Sequence, residues 1–327
     1  MSRTVLRRFG ASLLLVYVVL TLTFFVIHLA PGEPGAFFVD TRLSEDTRDA
    51  ARTRLGLDQP LHRQYLLWLT ATLRGDWGTS FTSGRPALAV VLEQLPHTFI
   101  LVLAASAVEY GLGLPLGLYA ARRADGAGDH AIRTVSLALY SMPSFWLGLL
   151  LIEWFAVRWT LFPPGQMTSV GADALPWGAR LRDLLHHLAL PALTLGLIRC
   201  GAVVRFTRNG LLEAMGQDYI RTARAKGIGE RRILWVHALP NALGPLVQRL
   251  GVALPIMLSG SLVIESVFSW PGIGYTAYLA VLQRDYPVVL ASTALLAILV
   301  VFGSLLADLL HAWIDPRVRG ALGVDRA

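Results

Sequence analysis

Six long apolar runs set the pattern of the chain: Ala11 to Leu29, Thr98 to Ala121, Ile132 to Val157, Leu188 to Val204, Ala242 to Val267 and Val288 to Ile314. Crossing the hydrocarbon core of a bilayer takes roughly 20 predominantly apolar residues in a helix, and these runs are of that length. The fourth is interrupted or bounded by Pro191 and Arg199. No strand-like alternation of useful length occurs, and no repeat of roughly 20 to 50 residues is present. The predicted fold class is an all-α polytopic membrane protein with six transmembrane helices.

The polar stretches between the runs carry their own signals. Between Pro31 and His97, Ser44 reads as an N-cap with Glu45 and Asp46 in the first turn, a helix that Gly56 stops. Pro60 then opens a second helix at "LHRQYLLWLTATL", in which Leu61, Tyr65, Trp68 and Leu69 form an apolar stripe that must pack on something. "RGDWGTSF" follows without periodicity, either as an ordered or ligand-contacting loop or as a solvated one. A second loop, Arg158 to His187, is rich in Gly and Pro with one short helix around Leu181, and a third, "SWPGIGYTAYLAVLQRDYP", is a compact turn.

Composition supports lipid as the solvent. Only 16% of the 327 residues are charged, against about 25% in soluble domains, and 54% are hydrophobic. The net charge of +7 is carried almost wholly by arginine, Lys226 being the only lysine. A basic balance of this kind raises nucleic-acid binding as a rival, but the charges sit at the ends of apolar runs rather than on one patch. Arg3, Arg7 and Arg8 precede the first run; Arg122 and Arg123 follow the second, Arg205 to Arg232 the fourth, and Arg317 and Arg319 the sixth. With six alternating spans all these sites fall on one face, which the positive-inside rule makes cytoplasmic, with both termini. The first run exceeds a signal-peptide core and ends in "HLAPGEP" rather than a small-x-small site, so it is expected to remain as a span.

Catalytic chemistry finds no foothold. No G-x-x-x-x-G-K-[ST] is present, so the chain has no P-loop, and both H-E-x-x-H and G-x-S-x-G are missing. Cys200 is the single cysteine, and His186 and His187 are adjacent, pointing about 100° apart on a helix. Ionisable residues within or near spans are Glu109, Glu153, Arg199, Glu265 and Asp308, of which Glu109 is the deepest. A proton-coupled secondary transporter would show more such groups, with helix breaks in related positions of two repeats.

One segment demands a use. "DYIRTARAKGIGERRILWVHALPNAL", Asp218 to Leu243, sits between two apolar runs, yet a plain linker needs only a few residues. Leu211, Leu212, Met215, Tyr219, Ile220 and Ala223 recur at helical spacing, and Gly227 stops that helix just after Lys226. Glu230 opens a second helix that can bury Ile233, Leu234 and Val236, and Pro240 begins the next span. Such helices suit a groove on a partner protein or the surface of anionic lipid.

The segment resembles the coupling loop of ABC importer permeases, whose general pattern is E-A-A-x3-G-x9-I-x-L-P. Gly227 takes the place of its glycine, and Leu239-Pro240 that of its L-P. Arg221-Thr222-Ala223 replaces E-A-A and His237 replaces Ile; both departures, with the upstream acid Glu213, resemble the dipeptide/oligopeptide/nickel branch. "APGEP", "RLGLDQPLHRQYLLWL", "GDWGTSF", "SMPSFWLGLLL", "HLALPALTLG", "VIESVFSWPGIG", "RDYP" and "DPRVRG" extend the resemblance to the B-type permease subunit over nearly the whole chain.

That resemblance implies a type I ABC transmembrane fold. Residues 1–30 would form the cytoplasmic N-terminus and first span, 31–95 an extracytoplasmic segment, 96–314 the permease core with its coupling loop at 208–241, and 315–327 a cytoplasmic tail. It implies a bacterial inner-membrane importer with a second homologous permease, two cytoplasmic ATPase subunits and an extracytoplasmic solute-binding protein. ATP and Mg would be bound by the ATPases, with no cofactor, metal or catalytic residue in this chain and no nucleic acid partner; membrane lipid surrounds it. The ATPase contact would involve Glu213, Asp218, Tyr219, Arg221, Ala223, Arg224, Ala225, Lys226, Gly227, Leu239 and Pro240. Peptide is the expected substrate, with nickel complexes, glutathione or another small solute as alternatives within the class.

Overall fold

The structure is a computed structural model that describes residues 3–29, 58–243, 246 and 261–314, with side chains from residue 10 and up to residue 305. The predicted helix capped by Ser44, the "APGEP" and "DPRVRG" stretches, the tail from 315 and most of the run Ala242 to Val267 lie outside the described residues.

In chain order the main helices are α1 (Arg3–Leu29), α2 (Leu61–Leu73), α3 (Ala87–Leu92), α4 (Leu95–Arg122), α5 (Ala127–Ser141), α6 (Ser144–Leu151), α7 (Trp177–Met215), α8 (Asp218–Ala225), α9 (Ile273–Leu282) and α10 (Tyr286–Ile314). Among the described residues four helical stretches are long and apolar enough to cross a membrane: Gly10–Leu29, Ala87–Arg122, Trp177–Met215 and Tyr286–Leu305. A fifth is broken. α5 and the stretch Ser144–Arg158 meet at a bend of 106°. Met142 is extended there (φ −81°, ψ 133°), as the residue before Pro143 must be, and Pro143 then leads into α6. The predicted third span is therefore two helices.

The fourth run is longer than its apolar stretch suggests. α7 passes through Pro191 without ending and spans 39 residues, absorbing the short helix expected around Leu181. An interior proline costs a helix about 3 kcal/mol, but Pro191 is buried with Leu188, Leu190, Ala192 and Leu195, whose packing offsets that loss.

Two compact units are distinguished by their internal packing: residues up to Thr98 with Pro271–Phe302, and Phe99–Trp270 with the described stretch 303–314. In the first, the predicted stripe of α2 packs on α1. The Phe24 ring, nearly inaccessible, meets Tyr65 at 5.3 Å and Trp68 at 5.1 Å, and Tyr65 shares a 2.9 Å hydrogen bond with Thr21. The "RGDWGTSF" loop is ordered rather than merely solvated. Ser80 is buried and donates to Asp285 Oδ2 at 2.6 Å, and the Thr82 N–H donates to the same oxygen at 3.1 Å. The third loop, expected as a turn, holds the ten-residue helix α9, whose Ile273 and Ala280 pack with Ala87, Val91, Val288 and Ala291.

In the second unit α7 is the central element. Gly113 and Gly117 of α4 lie against it so closely that a Cβ would stand 2.6 Å from the side chains of Val203 and Thr207 respectively. Small residues spaced by four are how spanning helices bring their backbones together. Across the same contact Arg199 of α7 donates from Nε to Glu109 Oε2 of α4 at 3.3 Å, so the deepest carboxylate is engaged by a cation of its own chain. Glu265 is fully buried, while Glu153 pairs with Arg158 at 2.9 Å near the surface.

Candidate functional site

The polar segment after α7 folds as a compact hairpin of helical pieces. α7 ends at Met215; Gly216 and Gln217 turn the chain, and extended Gln217 accepts the N–H of Ile220 through its carbonyl. α8 then runs for eight residues with Asp218 in its first turn, where a carboxylate suits the exposed N–H groups, and Arg224 in its last.

Its C-terminus is closed by the backbone. The Ile228 N–H reaches the Ala223 carbonyl at 3.2 Å and the Gly227 N–H the Arg224 carbonyl at 2.9 Å, the paired bonds of a Schellman motif. This geometry places Gly227 at φ +76°, where glycine alone has no Cβ penalty. Ile228 completes the motif by packing onto the same core as Ala223.

The chain returns through Glu230–Arg232 and a π-helix, Ile233–Ala238. This widened turn directly precedes Pro240, whose missing N–H and bulky ring disturb a regular α-helix. Helix continues through Pro240 to residue 243. Asn241 Nδ2 donates to the His237 carbonyl at 2.7 Å beside it.

The hairpin has an inner and an outer side. Inside, Ile220, Ala223, Ile233, Leu234 and Ala238 are buried with Ala121 of α4, Leu211 and Ala214 of α7, and Ala242, with Leu239 packed alongside. The expected stripe is thus split: Leu211, Ile220 and Ala223 face the core, but Leu212 and Tyr219 are exposed. Val236 is 57% exposed and Ala238 is buried instead, five residues after Ile233, the spacing that a π-turn brings into line. Outside lie Glu213, Asp218, Tyr219, Arg221, Arg224, Ala225, Lys226, Gly227 and Pro240. Asp218 pairs with Arg221 at 3.4 Å. Arg224 grips Glu230 through Nε at 2.6 Å and Nη2 at 3.2 Å, which holds the Glu230 carboxyl below its ordinary pKa. Of the residues singled out in the sequence, Ala223 and Leu239 face inward and the other nine are exposed.

A second anchor is invisible in the sequence pattern. Asp129, fully buried in the first turn of α5, is held by the Arg208 fork of α7, Nε to Oδ1 at 2.7 Å and Nη2 to Oδ2 at 2.6 Å. The Asp125 N–H also donates to Oδ2, at 2.9 Å. Arg208 reads in sequence as one more flanking charge, yet it ties the α4–α5 turn to the α7 stretch that carries the hairpin. Only a pairing of Asp129 with an arginine some 80 residues away, which no local spacing announces, reveals it.

Among the described residues no group of three His, Cys, Asp or Glu side chains is placed to hold a metal, and His186 and His187 bond to the Leu161 and Asp183 carbonyls. Long apolar helices with a basic helical hairpin packed against two of them define an all-α, multi-pass membrane protein. Residues 113–320 match the family described as binding-protein-dependent transport system inner membrane component, and residues 1–102 match its N-terminal part. The chain belongs to that family, as the transmembrane permease subunit of an ABC importer rather than a catalytic enzyme. It is 37% identical to the oligopeptide transport system permease protein AppB of Bacillus subtilis, over 97% of this chain and 99% of the relative. It is 35% identical to the dipeptide transport system permease protein DppB of Escherichia coli K12 (98% and 99%) and 38% identical to the di/tripeptide transport system permease protein DppB of Pseudomonas aeruginosa (96% and 97%).

Proposed function

We propose that the chain forms half of the translocation pathway for di- and oligopeptides across the bacterial cytoplasmic membrane, with six spans and both termini cytoplasmic. A second homologous permease completes the pathway, and an extracytoplasmic solute-binding protein delivers the peptide. Two cytoplasmic ATPases drive it, each permease engaging one. Support for the peptide comes from the three relatives above, whose names specify oligopeptides, dipeptides and di/tripeptides. The residue divisions 1–30, 31–95, 96–314 with the loop 208–241, and 315–327 belong to the same proposal.

The observation that carries the coupling role is the two-sidedness of the hairpin. Ile220, Ala223, Ile233, Leu234 and Ala238 are committed to the chain's own core, which supports reading the outer face, where Tyr219, Trp235 and Val236 stand exposed among basic residues, as a ledge for a partner protein rather than a helix lying in lipid. Helix-in-groove docking by the outer face, with Tyr219, Arg221 and Lys226 as contacts, is favoured over a surface-lying helix on that ground.

Thiol protection tests it. Cys200 is buried, so a Lys226→Cys variant carries one accessible thiol. Within the assembled importer that thiol should be shielded from a water-soluble maleimide, and it should react freely once the ATPases are stripped away. Equal reactivity in both states would rule the ledge out as their seat.

A further inference from the structure

Between α5 and α7 lies a cleft of about 270 Å³, lined by His130, Arg133, Thr134, Leu137 and Tyr140 of α5 and by Arg205 of α7 over a floor at Ser136 and Gly201. We infer that this cleft is a binding site for the phosphate of an anionic phospholipid headgroup, taken from the leaflet that faces the ATPases.

The floor is preformed. Gly201 packs so tightly on α5 that a Cβ would stand 2.7 Å from the Ser136 carbonyl oxygen, which locks the two backbones together at the base of the cleft. The nearby Arg208–Asp129 fork fixes the same pair of helices a second time. Two guanidinium groups on different helices therefore line one space instead of splaying apart.

Charge complementarity selects the ligand. Among the described residues neither Arg133 nor Arg205 has a carboxylate within salt-bridge distance, and Asp129, the acid closest in sequence, is occupied by Arg208. Arg205 lies over the Tyr140 ring, 5.4 Å from its centroid, which steadies the cation without neutralising it. Arg133 shares the field of Asp129 with Arg208 but makes no ion pair among the described residues, and a phosphate matches the exposed guanidinium forks in both charge and geometry.

Exposed apolar surface beside the two cations selects a lipid over a free anion. His130 lies in the first turn of α5 and Arg133 in the second, while Leu137 and Tyr140 follow further along the helix and are more than half exposed. With Arg205 over the Tyr140 ring and Arg133 on the same face of α5, the phosphate sits between the two guanidinium groups and an acyl chain runs along exposed Leu137; a free phosphate leaves that apolar surface unused. Only the choice of leaflet rests on the proposed orientation of the chain.

The test uses the assembled importer in mild detergent, with bound lipid read by native mass spectrometry. Phosphatidylglycerol should be retained in preference to phosphatidylcholine of the same chain length, and it should raise the apparent melting temperature where inorganic phosphate does not. An Arg133→Gln/Arg205→Gln variant should lose that retention, by about tenfold or more per arginine, the scale of one charge-assisted hydrogen bond. Should it fail to assemble, Thr134→Glu keeps both arginines, sets a carboxylate in the cleft and should give the same loss. Undiminished phosphatidylglycerol retention in the variant that assembles overturns the site, and stabilisation by inorganic phosphate equal to that by the lipid overturns the lipid assignment. Detergent micelles have no inside or outside, so an error in the proposed orientation or cargo leaves these readings unchanged and shows only in topology or uptake measurements.

Discussion

Two glycines, two residues apart and equally exposed, should respond in opposite ways to a side chain. At Gly227 a Cβ would meet nothing within 4 Å, so the penalty there is entirely backbone strain at φ +76°. That strain is about 1–2 kcal/mol for an ordinary L-residue and greater for a β-branched one. At about 1.4 kcal/mol per factor of ten, Gly227→Val should depopulate the Schellman turn roughly tenfold or more, pulling Ile228 off Ala223 and displacing the outer face of the hairpin. Gly229 also has open space around its Cβ position, but at φ −64° and ψ 146° it sits where alanine is at ease. Gly229→Ala should be neutral or stabilise by about 0.4–1 kcal/mol through the unfolded chain. Gly227→Asn, whose side chain tolerates the left-handed region, should fall between the two. Membrane abundance, co-purification of the ATPases and peptide uptake should be measured in the same cells. The expected result for Gly227→Val is normal abundance with lost co-purification or uncoupled hydrolysis. Wild-type uptake at normal abundance, or equal damage from Gly229→Ala, would refute the reasoning.

Removing the Arg208 side chain (Arg208→Ala) strands a fully buried carboxylate, which costs about 3–5 kcal/mol; the melting temperature of the purified chain should fall sharply, with partial recovery on adding Asp129→Asn. Gly117→Leu should be damaging because its Cβ would meet Thr207 at 2.6 Å and the Val204 carbonyl at 2.9 Å, whereas Gly111→Ala, with open space around it, should be tolerated; chain abundance in the membrane separates the two. Arg224 lowers the pKa of Glu230, so by linkage their bridge is fully in force above the ordinary carboxylate value and is lost as pH falls through the depressed one. Hydrogen exchange over residues 224–232, taken relative to Glu230→Gln, should show protection at neutral pH that disappears only in acid below that ordinary value. Reporter fusions at Asp49 and Arg231 should read outside and inside respectively, and a cytoplasmic Asp49 would overturn the proposed topology.

Much of this architecture follows from local signals. The apolar stripe of α2, the stop at Gly227 and the burial of Ile233 and Leu234 all depend on residues a few positions apart, where periodicity and glycine conformation act directly. What escaped depends on distance or on a change of helical pitch. Pro191 looks like a terminator in sequence because its cost is local, while the packing that carries α7 past it comes from other helices. Val236 reads as an inward residue under α-helical spacing, and the π-turn before Pro240 puts Ala238 there instead. The Asp129–Arg208 fork and the contact of Gly113 and Gly117 with α7 join positions roughly 80 to 90 residues apart, for which a single chain offers no pattern. In the site itself, the basic, glycine-stopped helix was legible, but its division into a buried and an exposed side needed the partners on α4 and α7.

The uninterrupted course of α7 gives it the mechanics of a beam with unequal arms. If the helix pivots as one piece at buried Pro191, which it passes without ending, its two arms differ in length. At 1.5 Å per residue the portion from Trp177 to Leu190 is about 21 Å long and that from Ala192 to Met215 about 36 Å. A rotation of about 10° at this fulcrum sweeps the Met215 end through about 6 Å and the Trp177 end through under 4 Å. Because the hairpin is bolted to the long arm by Leu211 and Ala214, a displacement imposed on its outer face reaches the opposite end of the helix reduced in amplitude and multiplied in force.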